Sequence, residues 1–216
     1  MSPYSVILLG GSGLVGGECL KKLCLDDNCH RITLLLRRPI PSEQLHPKIE
    51  SHIINFDDID SYREKISADK VICALGTTIK KAGNKESFYK VDYSYPYKIA
   101  QIALNNGANH FILVSSKGAN PNSPFFYLKV KGELEQAISK VGYQKVTIFR
   151  PSLLMGKRAD FRFGEELGKW LTQRFSFLLP KNIKPTPVDL LVNMIIQQTN
   201  TSHDGSRIIE SAEMIV

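Results

Sequence analysis

The sequence predicts a doubly wound α/β fold, a parallel sheet covered by helices on both faces, within a single domain. Three observations carry that expectation. Short, near-continuous apolar runs recur along the chain. Stretches of helical periodicity separate them. A glycine-rich turn comes directly after the first run. The composition allows such a fold: 43% of the 216 residues are hydrophobic and 23% charged, enough for one sizeable core.

The elements are taken in chain order. Val6 to Leu9 reads as a buried strand. Leu14 to Leu25 has helical spacing through Leu14, Val15, Leu20 and Leu23. Ile32 to Leu36 and Ile53 to Phe56 are the next two strands, and Asp60 to Ile66 is a short helix. Val71 to Leu75 is a fourth strand, Tyr93 to Leu104 a helix, and Phe111 to Ser115 a fifth strand. Tyr127 to Val141 is a helix and Val146 to Phe149 a sixth strand.

After Pro151 the pattern loosens. Residues 1–151 therefore read as the main domain, and 152–216 as a small C-terminal lid region integral to it. Gly156 to Arg162 is a polar loop. Glu165 to Phe177 is amphipathic, and Pro180, Pro185 and Pro187 punctuate the next stretch of chain. Asp189 can cap a helix running to about Gln198, and Arg207 to Glu210 reads as a last strand. Phe161, Phe163, Trp170, Phe175 and Phe177 could line an apolar pocket; packing of that face onto the sheet is the plainer alternative, and contact with a membrane the remotest.

The formal net charge is +7. The densest basic patch, Lys80-Lys81-Ala82-Gly83-Asn84-Lys85, has no interleaved aromatic residue. It reads as a solvated loop rather than a nucleic-acid surface. Cys19, Cys24, Cys29 and Cys73 show neither C-x-x-C nor metal-ligand spacing, so reduced thiols and no metal are expected. The opening apolar run is too short for a signal-peptide core or a membrane span. A cytoplasmic location is the resulting expectation. A small-molecule substrate is the expected partner, nucleic acid and membrane are not, and a homodimer or protein partner stays open.

Gly10-Gly11-Ser12-Gly13-Leu14-Val15-Gly16 lies between the first strand and the first helix. One glycine permits the tight turn, one lets a pyrophosphate approach the backbone, and one lets the helix pack on the sheet. The helix start then offers free N–H groups and partial positive charge. Gly10, Gly13 and Gly16 thus point to an NAD(P)-binding Rossmann fold. The second strand ends in Arg37-Arg38, and no acid occurs from Arg31 to Pro41. A guanidinium suits a ribose 2′-phosphate, so NADP(H) is expected over NAD(H); a solvated strand end is the plainer alternative.

Tyr127 and Lys131 stand four residues apart, one helical turn on one face, downstream of Ser115-Ser116 at a strand end. The order Ser, then Tyr-x-x-x-Lys, is that of a short-chain dehydrogenase. A phenol has an ordinary pKa of about 10, and a neighbouring ammonium favours its anion. Tyr127 is therefore the expected proton donor in carbonyl reduction, Lys131 its tuning group and a ribose ligand, and Ser116 or Ser115 the hydrogen-bond donor to the substrate oxygen. A tyrosine on the surface of an amphipathic helix is the bland reading of the same spacing.

Several longer stretches add to these motifs: Ala74-Leu75-Gly76-Thr77-Thr78, Lys81-Ala82-Gly83, Val91-Asp92, Leu113 to Ala119, Tyr127 to Glu133, Phe149-Arg150-Pro151 and Arg162-Phe163-Gly164-Glu165. With them the chain resembles the oxidoreductase-like HIV Tat-interactive protein family of atypical short-chain dehydrogenases, from about Val6 to about Leu171. That resemblance implies NADP(H) held by Ser12, Gly13, Leu14 and Val15, with Arg37 and Arg38 at the 2′-phosphate. It places Leu75, Gly76 and Thr77 along the cofactor, Pro151 near the nicotinamide, and Arg162 as a cofactor or lid contact. Tyr127 and Lys131 carry over as the catalytic pair. It implies an NADPH-dependent oxidoreductase acting on a small carbonyl or quinone-like substrate. The alternative is a catalytically silent NADP(H)-binding redox sensor or interaction protein, as in NmrA-like regulators.

Overall fold

The computed structural model describes residues 3–41, 45–155, 184–201 and 204–214. Seven parallel strands form its sheet: β1 (Tyr4–Leu9), β2 (Cys29–Leu36), β3 (Ile49–Ile53), β4 (Lys70–Cys73), β5 (His110–Val114), β6 (Lys145–Arg150) and, last in the chain, β9 (Gly205–Glu210). Two-residue strands β7 (Leu154–Met155) and β8 (Thr186–Pro187) pair separately. The order across the sheet is β3-β2-β1-β4-β5-β6-β9. The chain order reverses between β1 and β4, which opens a crevice at the strand C-termini where a doubly wound sheet takes its ligand.

The two faces of the sheet are read directly from alternation. Ile7, Leu9, Val71, Cys73, Phe111, Leu113, Val146 and Ile148 enter one core cluster. There they meet α4 (Tyr95–Asn105) and α5 (Phe126–Val141). Val6, Leu8, Ile32, Leu34, Ile72, Ile112 and Phe149 enter the other, beneath α1 (Leu14–Leu25) and α6 (Val188–Thr199). Strands buried on both faces explain the near-continuous apolar runs.

Three expectations change. The third strand is Ile49–Ile53, not Ile53 to Phe56. As an edge strand it carries exposed Glu50 and Ser51, while Ile54 and Phe56 turn under the sheet into the core, and a 3₁₀ segment (Phe56–Lys65) comes next. The lysine patch is not a loop but the short helices α2 (Ile79–Ala82) and α3 (Lys85–Tyr89). Thr78 and Asn84 cap them by accepting from the Lys81 and Ser87 N–H groups, and Gly83 turns between them at φ +88°. Asp189 lies in the first turn of α6, whose N-cap is Pro187, so it complements the helix dipole rather than capping.

A partly buried charge cluster fastens α5 to β6 and β9. The Arg150 guanidinium grips Glu135 through Nη2 (2.6 Å) and Nε (3.1 and 3.2 Å) and reaches Glu210 through Nη1 (2.9 Å). Glu135 is buried, whereas the Glu210 side chain is 47% exposed. Among the described residues no helix is long and apolar enough to cross a membrane.

Removing the buried partner strands a charge, and removing the exposed one does not. Glu135→Gln should therefore lower stability by about 2–3 kcal/mol, and Glu210→Gln by less than about 1 kcal/mol, in urea unfolding. Equal losses would show that burial does not distinguish the two carboxylates.

Candidate active site

The glycine turn leaves β1 at Gly10, whose φ of +80° disfavours any side chain. A Cβ at Gly10 would lie 2.5 Å from the Ala74 carbonyl oxygen, and one at Gly16 would lie 2.0 Å from the Gly10 oxygen. The backbones of β1, α1 and the segment after β4 therefore touch. The Gly13 N–H closes the turn onto the Gly10 carbonyl (2.8 Å), and Gly13 is the N-cap of α1, with no acid in the first turn. The amides of Leu14, Val15 and Gly16 have no acceptor within the helix. This is a glycine cradle that a pyrophosphate fits, and Ser12, exposed at its rim, adds a hydroxyl. Arg37 and Arg38 are exposed just beyond β2, and among the described residues neither forms an ion pair.

Opposite the cradle, α5 carries Tyr127 in its first turn and Lys131 one turn on. The Tyr127 ring packs on Phe88, centroids 5.9 Å apart. A Cβ at Gly132 would lie 2.3 Å from the backbone of Asn120 and Pro121, and the Asn120 N–H donates to the Leu128 carbonyl (3.1 Å). So α5 lies directly on the segment leaving β5, and the tyrosine helix and the serines share one support. Ser115 continues the ladder, its N–H donating to the Phe149 carbonyl (2.8 Å). Its Oγ is buried without a hydrogen-bond partner among the described residues. Among the described residues the Ser116 hydroxyl makes one long contact, to the Lys117 carbonyl (3.4 Å). Pro151 is buried at the end of β6, and its carbonyl accepts from the Lys117 N–H (2.9 Å).

Lys131 is buried, and its Nζ sits 2.8 Å from Asp92 Oδ1. The side chains are 5% and 1% exposed. Burial alone would lower the lysine, but the Asp92 carboxylate beside it, and then Tyr127, outweigh burial and hold it above its ordinary value. The other Asp92 oxygen accepts from the Thr77 N–H (2.8 Å). Sequence reasoning assigned Asp92 no role. It lies in a π turn (Lys90–Ser94) in which the Tyr95 N–H bonds back five residues to the Lys90 carbonyl. Pro96 supplies the cause: it has no N–H for the carbonyl four residues earlier, which is that of Asp92, and its ring would crowd that oxygen.

Leu75, Gly76 and Thr77 come directly after β4, and the Leu75 nitrogen would lie 2.8 Å from a Cβ at Gly10. Arg162 and the aromatic residues from Phe161 to Phe177 lie outside the described residues. A cleft of about 520 Å³, lined by Phe56, Asp57, Lys90, Tyr93, Tyr95 and Lys98 among others, opens between the 3₁₀ segment and α4. It includes neither the glycine cradle nor Tyr127 and Lys131 and is not this site.

The comparisons with known proteins bear on the family and the fold. A family model described as NAD(P)H-binding matches residues 10–169. Protein HTATIP2 of Rattus norvegicus is 35% identical over 182 residues, 83% of this chain and 73% of that protein. Protein FMP52, mitochondrial, of Candida albicans is 37% identical over 175 residues, 77% and 76% of the two chains. The crystal structure of the Bordetella bronchiseptica enzyme WbmH in complex with NAD+ superposes with a TM-score of 0.72 at 16% identity, covering 96% of this chain and 76% of that one; it supports the fold alone. The expected cytoplasmic location is overturned, since the FMP52 relatives from several fungi are named mitochondrial. The four cysteines are indeed free, but reduced thiols suit any reducing compartment and could not separate the two.

The two neighbouring helix glycines give a sharp contrast. Gly16→Ala should cost about 2 kcal/mol or more by overpacking and abolish nucleotide binding. At Gly17 a Cβ would stand an ordinary 3.5 Å from the Gly11 oxygen, so Gly17→Ala should raise stability by about 0.5–1 kcal/mol. Thermal unfolding with nucleotide calorimetry checks both. Similar behaviour of the two variants would contradict the close approach at Gly16.

Proposed function

This chain belongs to the NAD(P)H-binding family, and from that premise we propose that it is an NADPH-dependent oxidoreductase of the short-chain dehydrogenase type. It reduces a small carbonyl or quinone-like substrate. The observation that carries the reading is the meeting, at one sheet edge, of an anion cradle with Tyr127 and a buried, charge-paired Lys131.

The residues present fit the dinucleotide. Backbone amides of Leu14, Val15 and Gly16, with Ser12 at the rim, would hold the pyrophosphate, while Arg37 and Arg38 would hold the 2′-phosphate. When bound, the reduced nicotinamide supplies hydride to the substrate carbon. Tyr127 gives its phenolic proton to the substrate oxygen, which takes up the π electron pair and becomes the hydroxyl of the product. The Lys131 ammonium, one turn away, steadies the negative charge left on the tyrosine oxygen. The Ser115 hydroxyl, buried without a protein partner among the described residues, is the stronger candidate to donate to the substrate oxygen; Ser116 stands next to it. A mitochondrial location, as in the name of the FMP52 relatives, accompanies this proposal.

A carbonyl and quinone screen with NADPH tests it. Tyr127→Phe should reduce kcat by at least about a hundredfold with NADPH affinity retained; unchanged turnover would remove the mechanism. Tight NADPH binding without turnover on any substrate would favour the catalytically silent reading. For cofactor choice, Arg37→Ala should weaken NADPH by about 1.5–3 kcal/mol, a lost charged hydrogen bond, and leave NADH unchanged. Equal loss for both would contradict a contact to the 2′-phosphate.

A further inference from the structure

We propose that Asp92 is a positioning residue of this site: its two carboxylate oxygens tie the Lys131 ammonium to the Thr77 backbone, so that the lysine and the segment beside the cofactor cradle are held as one unit. The inference deepens the reductase reading and rests on it for the lysine's catalytic part.

The geometry separates two jobs. Oδ1 lies 2.8 Å from Lys131 Nζ, and Oδ2 accepts the Thr77 N–H at 2.8 Å. Thr77 belongs to the segment that leaves β4 at Ala74, the residue whose carbonyl a Gly10 Cβ would strike. One carboxylate therefore joins α5 to the same segment that walls the glycine turn. The pair is almost wholly buried, where an isolated ammonium is costly and a matched counter-charge is needed to keep it. The titratable groups facing Lys131 are Asp92 from the π turn, Tyr127 from its own helix and Cys73 from β4. Burial pushes the Cys73 thiol up to about 11, so it brings no negative charge near neutral pH. Asp92 is thus the carboxylate that balances the ammonium, leaving Tyr127 as the group whose charge changes during a proton transfer.

The test reads the side chains themselves, in the full chain. In protein labelled with ¹³Cε-lysine, the Lys131 signal is assigned by its loss in Lys131→Met. In the parent it should not titrate up to about pH 10.5, near the ordinary lysine value. Asp92→Asn keeps an acceptor for Thr77 but removes the charge. Its Lys131 midpoint should fall by about two units or more, its reductase activity should decline with rising pH across that new midpoint, and NADPH affinity should hold. Asp92→Ala also removes the Thr77 acceptor and should weaken NADPH about tenfold. An unchanged Lys131 midpoint in Asp92→Asn would overturn the proposal, as would equal NADPH affinity in the Asn and Ala variants. A merely structural role would lower stability without moving the lysine titration. Should Asp92→Asn fail to fold, Lys131→Met gives a second reading: with the ammonium gone, exchange of the Thr77 amide hydrogen that Asp92 holds should speed up at least about tenfold, and an unchanged rate would overturn the proposal. Because these signals do not require turnover, an inactive protein whose lysine still shifts sinks the reductase reading alone.

Discussion

The site depends on a backbone approach too close to admit a side chain. At Gly16 and Gly10 the helix start, the turn after β1 and the carbonyl of Ala74 lie within the space one Cβ would need. That contact aims the free amides of α1 at the crevice, and it fixes the segment after β4 as the crevice wall. From Ala74 the wall runs to Thr77, from Thr77 by one hydrogen bond to Asp92, and from Asp92 by one ion pair to Lys131. The glycine cradle and the buried Lys131 are therefore not two independent features. They are the ends of one short chain of contacts across the β1–β4 reversal.

Much of this was legible because its physics is local. The helix at Leu14–Leu25 is where the spacing of Val15, Leu20 and Leu23 put it, and the strands buried on both faces appear in the sequence as apolar runs. What periodicity missed lies where burial is partial. The third strand sits at the sheet edge, and its polar residues hid it behind the more apolar Ile53 to Phe56. The lysine patch looked like a loop because its charges dominate, while the signals for its two short helices were the caps Thr78 and Asn84. Of the site itself, the glycines, Tyr127, Lys131 and the serines were visible by spacing. Asp92 was not: it meets Lys131 through tertiary packing, thirty-nine positions away by sequence number.

One local signal for Asp92 did exist. Pro96 stands inside a stretch of helical pattern, where it reads easily as a first-turn proline of a helix beginning near Tyr93. The helical run instead starts at Lys85 and passes through a π turn before α4. A proline within such a run frees the carbonyl four residues before it, and the wide turn that results inserts an extra residue into the helical register. Here the freed position is Asp92, and its carboxylate is the one that points into the protein. Proline spacing, rather than apolar spacing, is what the sequence offered.

Two charge clusters among the described residues differ in what they can be for. Arg150 is met by Glu135 and by half-exposed Glu210, so its charge stays partly solvated while it pins α5 to β6 and β9. Lys131 and Asp92 have almost no solvent, and a buried ion pair of that kind contributes little to stability compared with apolar residues of the same volume. What an apolar pair could not supply is a fixed positive charge one helical turn from Tyr127, or an acceptor for the Thr77 N–H. The first cluster is explained by the helix it fastens. The second fits the proposed role of Tyr127 as proton donor, whose oxygen would need a positive charge beside it once its proton leaves.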